Sequence, residues 1–357
     1  MFLYVSVVFL LFSLRYVLKD SSGARSQVYS TVLISLFLFT AFRFEVGCDW
    51  SGYLNQWNNQ EYSSFDLALT KTEPVWWAAM DALQAAGLSY PWLNVFSSAL
   101  FFLGVHAAAR RQPDRLGFLV LLFPILIINM PMSGIRQGAA VGVLLFAFNA
   151  FVDRRLVRFV VLVLLSSTVH NSAIIFLLLT PLVRGEFTKR RLLAAGLLAI
   201  PGAVALLSGS AAEQATDRYI DSGVDAAGSA FRVGLLCITG AFYFRVLEKK
   251  WRVVFPRDHK LVSVGALIMC ALVVLVPLST VIADRLGYYL IPIQTMIFAR
   301  IPYLPVGKNR KFYSAAPYLG LALVFIVWVS LSQLFYGCYV PYQTWIFGWP
   351  DVTRYLY

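Results

Sequence analysis

Arginines at the ends of apolar runs are the residues of this chain best suited to chemistry. Arg136, in MSGIRQGAA, and Arg285, in ADRLGYY, each open an apolar run, and Arg43 closes another. An arginine fork binds two phosphate oxygens at once and stays charged at physiological pH. The pattern therefore indicates an anionic ligand, although each arginine could instead pair with an acid such as Asp49 or Asp284.

Two residues could carry the proton transfer that an attacking hydroxyl group needs. Asp49 lies in RFEVGCDWSGYLNQW, where Gly47 and Gly52 permit a tight turn. His170 separates two apolar runs, and a neutral imidazole there could accept a proton. Each has a structural alternative, which is an Asx-turn or helix N-cap for Asp49 and a hydrogen-bonded buried histidine for His170. The identity of the base stays open between them.

The composition excludes a soluble protein as the carrier of these residues. Of 357 residues, 59% are hydrophobic and 13% are charged, whereas ordinary globular chains carry about 25% charged residues. A soluble core of this size could not bury so much apolar surface. We therefore predict an all-α polytopic integral membrane protein with a single transmembrane domain over residues 1–357.

The histidines and cysteines give no metal-binding pattern. Three scattered histidines and four cysteines without a CxxC pair match neither a zinc nor an iron–sulfur site. No metal and no other cofactor is predicted. Cys48 and Cys338 could form a disulfide, but their proximity cannot be read from the sequence.

Apolar runs between charged residues predict about twelve transmembrane helices. The first run lacks a small-residue cleavage site, so we expect a retained span and not a signal peptide. Segment 74–90 contains Asp81 and Gln84, and we predict an amphipathic or re-entrant outer segment with Trp76 and Trp77 at the membrane interface. The twelve runs are 2–14, 28–42, 91–109, 116–130, 136–152, 156–169, 172–184, 191–208, 231–247, 260–278, 286–304 and 313–335.

Basic residues fall mostly in alternate loops, which orients the chain. The positive-inside rule makes these loops cytoplasmic, and an even number of spans then puts both termini on the periplasmic side of a bacterial inner membrane. The net charge of +12 is thus explained by the orientation of the chain in the membrane, and no nucleic-acid partner is predicted. The outer face holds the polar segments 43–90, 209–230 and 336–357. The basic residues that orientation leaves unexplained on that face are Arg43, Lys71, Arg136, Arg218, Arg232, Arg285 and Arg354.

The hairpin 156–184 is predicted to hold His170 inside the protein. Two short apolar runs meet at this residue, and a helix needs about 20 residues to cross a bilayer untilted. Irregular backbone at membrane depth is tolerated only where it is buried or lines a wet cavity. The turn at His170 is therefore expected below the outer surface.

Taken in order, these residues resemble the EpsG family of Wzy-type polysaccharide polymerases. The resemblance runs from about residue 40 to residue 345, and Asn171 stands where the family often has Lys, which removes one phosphate contact. The motifs that carry it are R-x3-G-x-D-x3-Y from Arg43 to Tyr53, Arg136-Gln137, the turn His170-x-Ser172-Ala173, Arg285 with Tyr288 in DRLGYY, and Pro341-Tyr342.

This resemblance implies a metal-independent membrane glycosyltransferase with a GT-C-like helical fold. Such enzymes join undecaprenyl-pyrophosphate-linked oligosaccharide repeat units at the outer leaflet and release undecaprenyl pyrophosphate, and a polysaccharide chain-length regulator is a candidate partner. The expected base is His170 or Asp49. The expected pyrophosphate contacts are Arg136, Arg285, Arg43 and Arg218. The expected sugar contacts are Tyr53, Gln137, Tyr288 and Tyr342.

Three other functions share parts of this pattern. A lipid-linked glycan ligase would use a similar donor but pass finished polymer to another lipid. A membrane O-acyltransferase could use a histidine at membrane depth, but it should need a path for a cytoplasmic acyl donor. A non-enzymatic flippase or transporter of lipid-linked oligosaccharides predicts charged residues at mid-membrane in several spans and a two-fold repeat, and neither is clear in the sequence.

Overall fold

A computed structural model of the protein is mainly helical over the part of the chain that it describes. It describes residues 1–18, 22–60, 71–185 and 228–350, with isolated positions at 188, 190, 193 and 197. Two short strands, β1 (Arg43–Phe44) and β2 (Gln343–Thr344), pair antiparallel. The α-helices are α1 (Phe2–Val17), α2 (Ser22–Ala41), α3 (Trp50–Gln60), α4 (Pro74–Ala85), α5 (Pro91–Ala109), α6 (Arg115–Leu122), α7 (Ile135–Val152), α8 (Leu156–Val169), α9 (Thr180–Val183), α10 (Ser229–Phe242), α11 (Glu248–Val254), α12 (His259–Ala271), α13 (Thr280–Arg300), α14 (Arg310–Leu331) and α15 (Gln333–Tyr339).

Several of these helices have the length and apolar character of membrane spans. Four described stretches are long and apolar enough to cross a bilayer, namely Pro91–Ala109, Ile135–Val152, Ser229–Val254 and Gly307–Leu331. The predicted class, an all-α membrane protein, is confirmed at this level. The twelve spans and the GT-C-like arrangement stay predictions, and most of the predicted run 191–208 lies outside the described residues.

Contacts within the chain divide it into two compact units. Unit 1 comprises Met1–Leu145, Leu165–Asn171 and Lys311–Tyr357. Unit 2 comprises Phe146–Leu164 and Ser172–Arg310. The single transmembrane domain inferred from the sequence stays a prediction.

In unit 1, α5 packs closely against the first half of α7. Helix α5 starts at Pro91, whose ring suits the first helical position. A Cβ added at Gly104 in α5 would lie 2.0 Å from the carbonyl oxygen of Gly142 in α7. Small residues on both helices therefore let the two backbones touch, as in many membrane helix pairs. This contact holds α7, which carries Arg136 in its first turn.

In unit 2, helices α10, α12 and α13 pack against one another. A Cβ added at Gly240 in α10 would lie 2.5 Å from the carbonyl oxygen of Ala266 in α12, so glycine again permits a close approach. Ser279 caps α13, because its hydroxyl oxygen accepts a hydrogen bond from the N–H of Ile282. Helix α13 carries the predicted residues Arg285 and Tyr288.

The segment 74–90, which we predicted to be an outer-face segment, contains a helix that is too short for an untilted span. Helix α4 has 12 residues, whereas an untilted span needs about 20. The prediction that Trp76 lies at the membrane interface is wrong, because its side chain is 0% exposed and its ring packs 5.7 Å from that of Tyr53. Trp77 is half-buried, with the ammonium group of Lys71 4.0 Å from its ring centroid.

Replacement of Gly104 by alanine should destabilise the protein. The new methyl group would meet the backbone of Gly142 and not a flexible side chain. We expect this overpacking to cost about 1–3 kcal/mol, measured as a lower melting temperature of the purified protein in detergent. Gly320→Ala is the matched control, since a Cβ at Gly320 in α14 meets nothing within 4 Å. Equal melting temperatures of the two variants would contradict the close contact.

Candidate functional site

A buried carboxylate, that of Glu73, is the centre of the candidate site. Glu73 is 6% exposed and directly precedes α4. Its Oε1 accepts hydrogen bonds from Nδ1 of His170 at 2.7 Å and from the backbone N–H of Asn171 at 2.9 Å. Its Oε2 lies 2.6 Å from an η-nitrogen of Arg136. One side chain thus holds together segments that are far apart in the sequence.

The surroundings of Glu73 keep it ionised. Burial alone would raise the pKa of Glu73, but the hydrogen bond from His170, the charge of Arg136 and the amide of Asn171 outweigh burial and hold the pKa below its ordinary value. A carboxylate only accepts hydrogen bonds, so Nδ1 of His170 carries a proton. In the neutral imidazole, the lone pair that can take another proton is then on Nε2.

His170 lies at a break between two helical segments. Helix α8 ends at Val169, and a 3₁₀ helix begins at Asn171. The backbone N–H of His170 still donates to the carbonyl of Ser166 at 3.0 Å, and the Ser166 hydroxyl donates to the carbonyl of Ala140 in α7 at 2.8 Å. His170 is 7% exposed. The predicted burial of His170 is therefore confirmed, and its depth in the membrane stays a prediction.

Arg136 lies in the first turn of α7, and only part of its hydrogen-bonding capacity is used within the protein. Its side chain is 23% exposed, and its guanidinium carbon lies 6.0 Å from the centroid of the Tyr53 ring, which suits a cation–π contact. The Nε of Arg136 is buried and donates to no acceptor among the residues that the structure describes. Arg136 therefore keeps donor capacity beyond its bond to Glu73.

The loop 43–49 brings Asp49 to the segment just before α7. Gly47 has a φ of +109°, and a Cβ there would lie 1.8 Å from the carbonyl oxygen of Met132, so only glycine fits. Asp49 is exposed, and its Oδ2 accepts a hydrogen bond from the Ser133 hydroxyl at 3.2 Å. Asp49 thus lies near the start of the helix that carries Arg136.

A disulfide and a two-stranded ribbon fasten this loop to the C-terminal segment. Cys48 is bonded to Cys338, and Arg43 in β1 lies opposite Thr344 in β2. The N–H of Gly47 also donates to the carbonyl of Cys338 at 2.7 Å. The pairing of the two cysteines, which the sequence left open, is therefore present.

Arg43 holds the loop together from inside the protein. Its side chain is 1% exposed. Its Nε donates to the carbonyls of Val46 at 2.8 Å and Met132 at 2.9 Å. Its η-nitrogens donate to the carbonyl of Thr40 at 2.9 Å and to Oδ1 of Asn94 at 2.8 Å. All three guanidinium nitrogens thus bond within the protein, and this geometry favours a structural role over the predicted pyrophosphate contact.

The predicted residues Arg285 and Tyr288 belong to unit 2. The neighbouring acid, Asp284, forms a two-pronged ion pair with Arg232, whose Nε and an η-nitrogen each lie 2.7 Å from a carboxylate oxygen. The guanidinium carbon of Arg232 lies 5.5 Å from the centroid of the Tyr288 ring. Arg285 is half-buried. Substrate binding by Arg285 and Tyr288 stays a prediction.

The remaining predicted residues have varied surroundings. Tyr342 donates its hydroxyl to the carbonyl of Phe39 at 2.9 Å and stacks on the Phe39 ring at 4.6 Å, which favours a structural role over sugar binding. Gln137 is 6% exposed in α7. Arg218 lies outside the described residues.

Within the described part of the chain, no group of three or more His, Cys, Asp or Glu side chains could hold a metal ion.

Sequence reasoning missed Glu73, the residue that organises the site. The available signal was the dipeptide Glu73-Pro74, which is typical of a helix start. In the structure, the Glu73 side chain makes no capping hydrogen bond to α4. It bonds instead to segments that the sequence does not show to be near, so the pattern alone could not separate it from an ordinary cap.

The described helices define the class of protein in which this site lies, an all-α membrane protein. A family model for the EpsG family matches residues 27–344, and the chain belongs to this family. Membership indicates a polysaccharide-polymerase type of function, with a glycosyltransferase-like activity on a lipid-linked oligosaccharide. No curated protein and no solved structure match the chain.

Arg43→Ala should destabilise the protein far more than Arg252→Ala. Removal of Arg43 leaves four buried oxygen acceptors without their donor, and each such acceptor costs about 1–3 kcal/mol. We expect a total loss of about 3 kcal/mol or more for Arg43→Ala, measured as the melting temperature in detergent. Arg252→Ala is the comparison, because its side chain is 66% exposed and pairs only at the surface with Glu248. A smaller loss for Arg43→Ala than for Arg252→Ala would contradict the structural role.

The stability that Glu73 contributes should depend on pH. The pKa of Glu73 is lowered in the folded state, so the ionised carboxylate stabilises the fold. This contribution is fully present above the unfolded-state pKa of about 4.3 and is lost as the pH falls through the lower folded-state value. The melting temperatures of wild type and Glu73→Gln should therefore differ near neutral pH and converge in acid. A difference that stays unchanged from neutral pH into acid would contradict this assignment.

Proposed function

We propose that the protein is a polysaccharide polymerase that joins undecaprenyl-pyrophosphate-linked oligosaccharide repeat units at the outer leaflet of the inner membrane. The growing glycan passes from its lipid carrier to a hydroxyl group of the incoming unit, and undecaprenyl pyrophosphate leaves. The observation that carries the proposal is the buried Glu73–His170 pair beside Arg136, in a chain of the EpsG family.

His170 is the general base in this proposal. The acceptor oxygen forms the new glycosidic bond while the bond between the donor sugar and its phosphate breaks, and the acceptor proton moves to Nε2 of His170. The carboxylate of Glu73 at Nδ1 fixes the ring orientation and stabilises the imidazolium that forms, as a carboxylate does in a Ser-His-Asp triad. Asp49, which is exposed and bonded to Ser133, is assigned to sugar binding.

Arg136 stabilises the leaving group. A departing pyrophosphate gains negative charge as its bond to the sugar breaks, and fixed donors aimed at that charge lower the barrier. The Arg136 side chain is 23% exposed, so part of its guanidinium group can meet a phosphate, while one η-nitrogen pairs with Glu73. Arg285 and Arg218 stay proposed phosphate contacts, and Tyr53, Gln137 and Tyr288 stay proposed sugar contacts.

We infer that the candidate site faces the periplasm. Disulfides persist in oxidising compartments, and the Cys48–Cys338 bond fastens the loop that carries Asp49. The distribution of basic residues in alternate loops supports the same orientation, with both termini periplasmic. We also propose that the chain crosses the membrane twelve times, in a GT-C-like arrangement of helices.

Purified protein should convert a lipid-linked repeat unit into a ladder of products without any nucleotide sugar. His170→Ala and Arg136→Ala should each slow ladder formation about a hundredfold or more, because a general base and an oxyanion contact contribute on that scale. Thr168→Ala is the matched control, since this residue lies two positions before His170 and its hydroxyl donates to the carbonyl of Leu165. Ladders at wild-type rates from both site variants would exclude the assigned roles.

The same assay separates polymerisation from its alternatives. Glu73→Gln should lower the rate and move its pH dependence, because the amide cannot stabilise an imidazolium; a merely structural role would leave the pH dependence unmoved. Transfer of finished polymer to a second lipid would indicate a ligase. Unchanged substrate with wild-type protein would favour transport.

A further inference from the structure

The exposed side of helix α3 carries asparagines and a glycine where charged side chains are usual. One side of α3 is buried, and Tyr53 and Trp57 are among its buried residues. The opposite side is exposed, and we call it the carboxamide face; it consists of Gly52, Asn55, Asn58 and Asn59. Positions three and seven residues apart on a helix point the same way, so Gly52, Asn55 and Asn59 form one ridge. The sequence of α3 contains no charged residue.

These residue types are a poor choice for a helix surface that only meets water. Exposed helix positions are usually filled by strong helix formers, many of them charged. Asparagine is a weak helix former, and glycine is weaker still. The side chains of Asn55, Asn58 and Asn59 form no hydrogen bond with any residue that the structure describes. Helix stability is thus given up here without a gain inside the protein, which is expected where residues serve a function.

Gly52 leaves open space on the carboxamide face. Its backbone is helical and has no positive φ, so its conformation does not require glycine. A Cβ added at Gly52 would meet no described atom within 4 Å, so packing does not require glycine either. The absence of a side chain lets another molecule approach the backbone closely. A ligand on this face would account for a glycine that the protein itself does not need.

The carboxamide face begins beside the candidate site. Asp49 is exposed, directly precedes α3, and accepts the hydrogen bond from Ser133 described above. The ring centroid of Tyr53, the neighbour of Gly52, lies 6.0 Å from the guanidinium carbon of Arg136. From Asp49 to the last asparagine the helix rises about 15 Å. The face therefore offers room for more than one sugar ring next to the reacting groups.

Helix α4 fixes α3 from the opposite side. Nε2 of Gln60 donates to Oδ1 of Asp81 at 2.7 Å, and Nε2 of Gln84 donates to the carbonyl of Trp57 at 2.8 Å. A ligand would bind to a helix that is already held in place, which lowers the entropy cost of binding.

The exposed groups of this face fit carbohydrate better than lipid or protein. A carboxamide has N–H donors and a carbonyl acceptor, and a sugar hydroxyl likewise donates and accepts. The face has no apolar side chain that could enter a membrane or form the core of a protein interface. It also has no cation that could hold a phosphate. The exposed charge at its near end is the carboxylate of Asp49, which repels an acidic sugar.

We propose that the carboxamide face binds uncharged sugar residues of the lipid-linked glycan, next to the reacting end. The inference rests on the proposed function, and it names the class of sugar that this part of the site accepts. Sugar hydroxyls bond to Asn55 and Asn59, and the ring approaches the backbone at Gly52. Repeat units with uncharged sugars at this position are then preferred to units that carry carboxylates there.

Replacement of both Asn55 and Asn59 by alanine should weaken glycan binding without destabilising the protein. The probes are lipid-free oligosaccharides of two and four repeat units, prepared by partial hydrolysis of the polysaccharide that the producing cells release. We expect about tenfold lower affinity in calorimetric titration, because two hydrogen-bonding side chains are lost. The melting temperature should stay equal or rise, because alanine is the better helix former. Asn309→Ala is the matched control, since Asn309 is an exposed asparagine of unit 2.

Gly52→Ala tests the close approach by steric means. The new methyl group fits the protein but occupies the space assigned to the sugar, so affinity should fall while the melting temperature does not. Gly320→Ala, which also places a methyl group in open space, is the matched control. Unchanged affinity of Gly52→Ala would overturn the proposal. Affinity of the unaltered face should be equal at about 0.05 and 0.5 M salt, because contacts to uncharged sugars are not screened. A fall in affinity with salt would indicate charged sugars and would overturn it too.

All titrations use the His170→Ala background, so that binding is measured without turnover. Equal affinities with and without the two asparagine changes, or no binding by protein with an intact face, would overturn the proposal even where wild type forms a ladder. Weaker binding after the changes, with no ladder from wild type, would support the face and count only against the polymerase.

Labelling of Asn59→Cys protein in liposomes separates a sugar site from a surface covered by lipid. A membrane-impermeant maleimide should react with the new thiol, and the four-unit oligosaccharide should slow that reaction. The protein without the added cysteine gives the background from Cys237 and Cys270, the free cysteines of the described chain. A new thiol that stays unreactive without oligosaccharide, or whose reaction the oligosaccharide does not slow, would contradict the proposed site.

Discussion

A carboxylate removed from water must be paired, and the candidate site is arranged around this requirement. The desolvation of a single ion costs several kcal/mol, which only close and well-oriented partners offset. Glu73 obtains its partners from the start of α7 and from the break after α8. The position of each of these segments therefore depends on the others. The same pairing leaves His170 with a defined proton-bearing nitrogen and leaves part of Arg136 open to a ligand.

Two arginines of equal standing in the sequence have opposite surroundings in the fold. Arg43 and Arg136 both lie at the edge of an apolar run. Arg43 meets three carbonyls and an amide oxygen and is 1% exposed, whereas Arg136 meets one carboxylate and is 23% exposed. The difference lies in which backbone oxygens face each side chain. Since turns fix those oxygens, residue type alone cannot separate a structural arginine from one that is available to a substrate.

Local sequence patterns predicted several helices well. They could not predict contacts between segments that are distant in the sequence. The predicted runs 91–109 and 156–169 coincide with α5 and α8, because charged residues, a proline and a histidine mark their ends. The burial of His170 followed from the shortness of its two helices. The role of Glu73 was missed and the position of Trp76 was predicted wrongly, since the partners of both residues come from elsewhere in the chain. The number of spans stays a prediction, because irregular segments such as the π-helix Phe123–Ile127, which contains Pro124, interrupt apolar runs without changing their composition.

The disulfide between Cys48 and Cys338 has a consequence for the order in which the protein is made. Its two cysteines are 290 residues apart in the sequence. At about 5–20 residues per second, a ribosome needs on the order of half a minute to synthesise the stretch between them. During that interval Cys48, in the loop that also carries Asp49, is without its partner. On the proposed periplasmic side, the yield of correctly joined protein therefore depends on how well one early cysteine is protected from wrong partners until the C-terminal segment emerges.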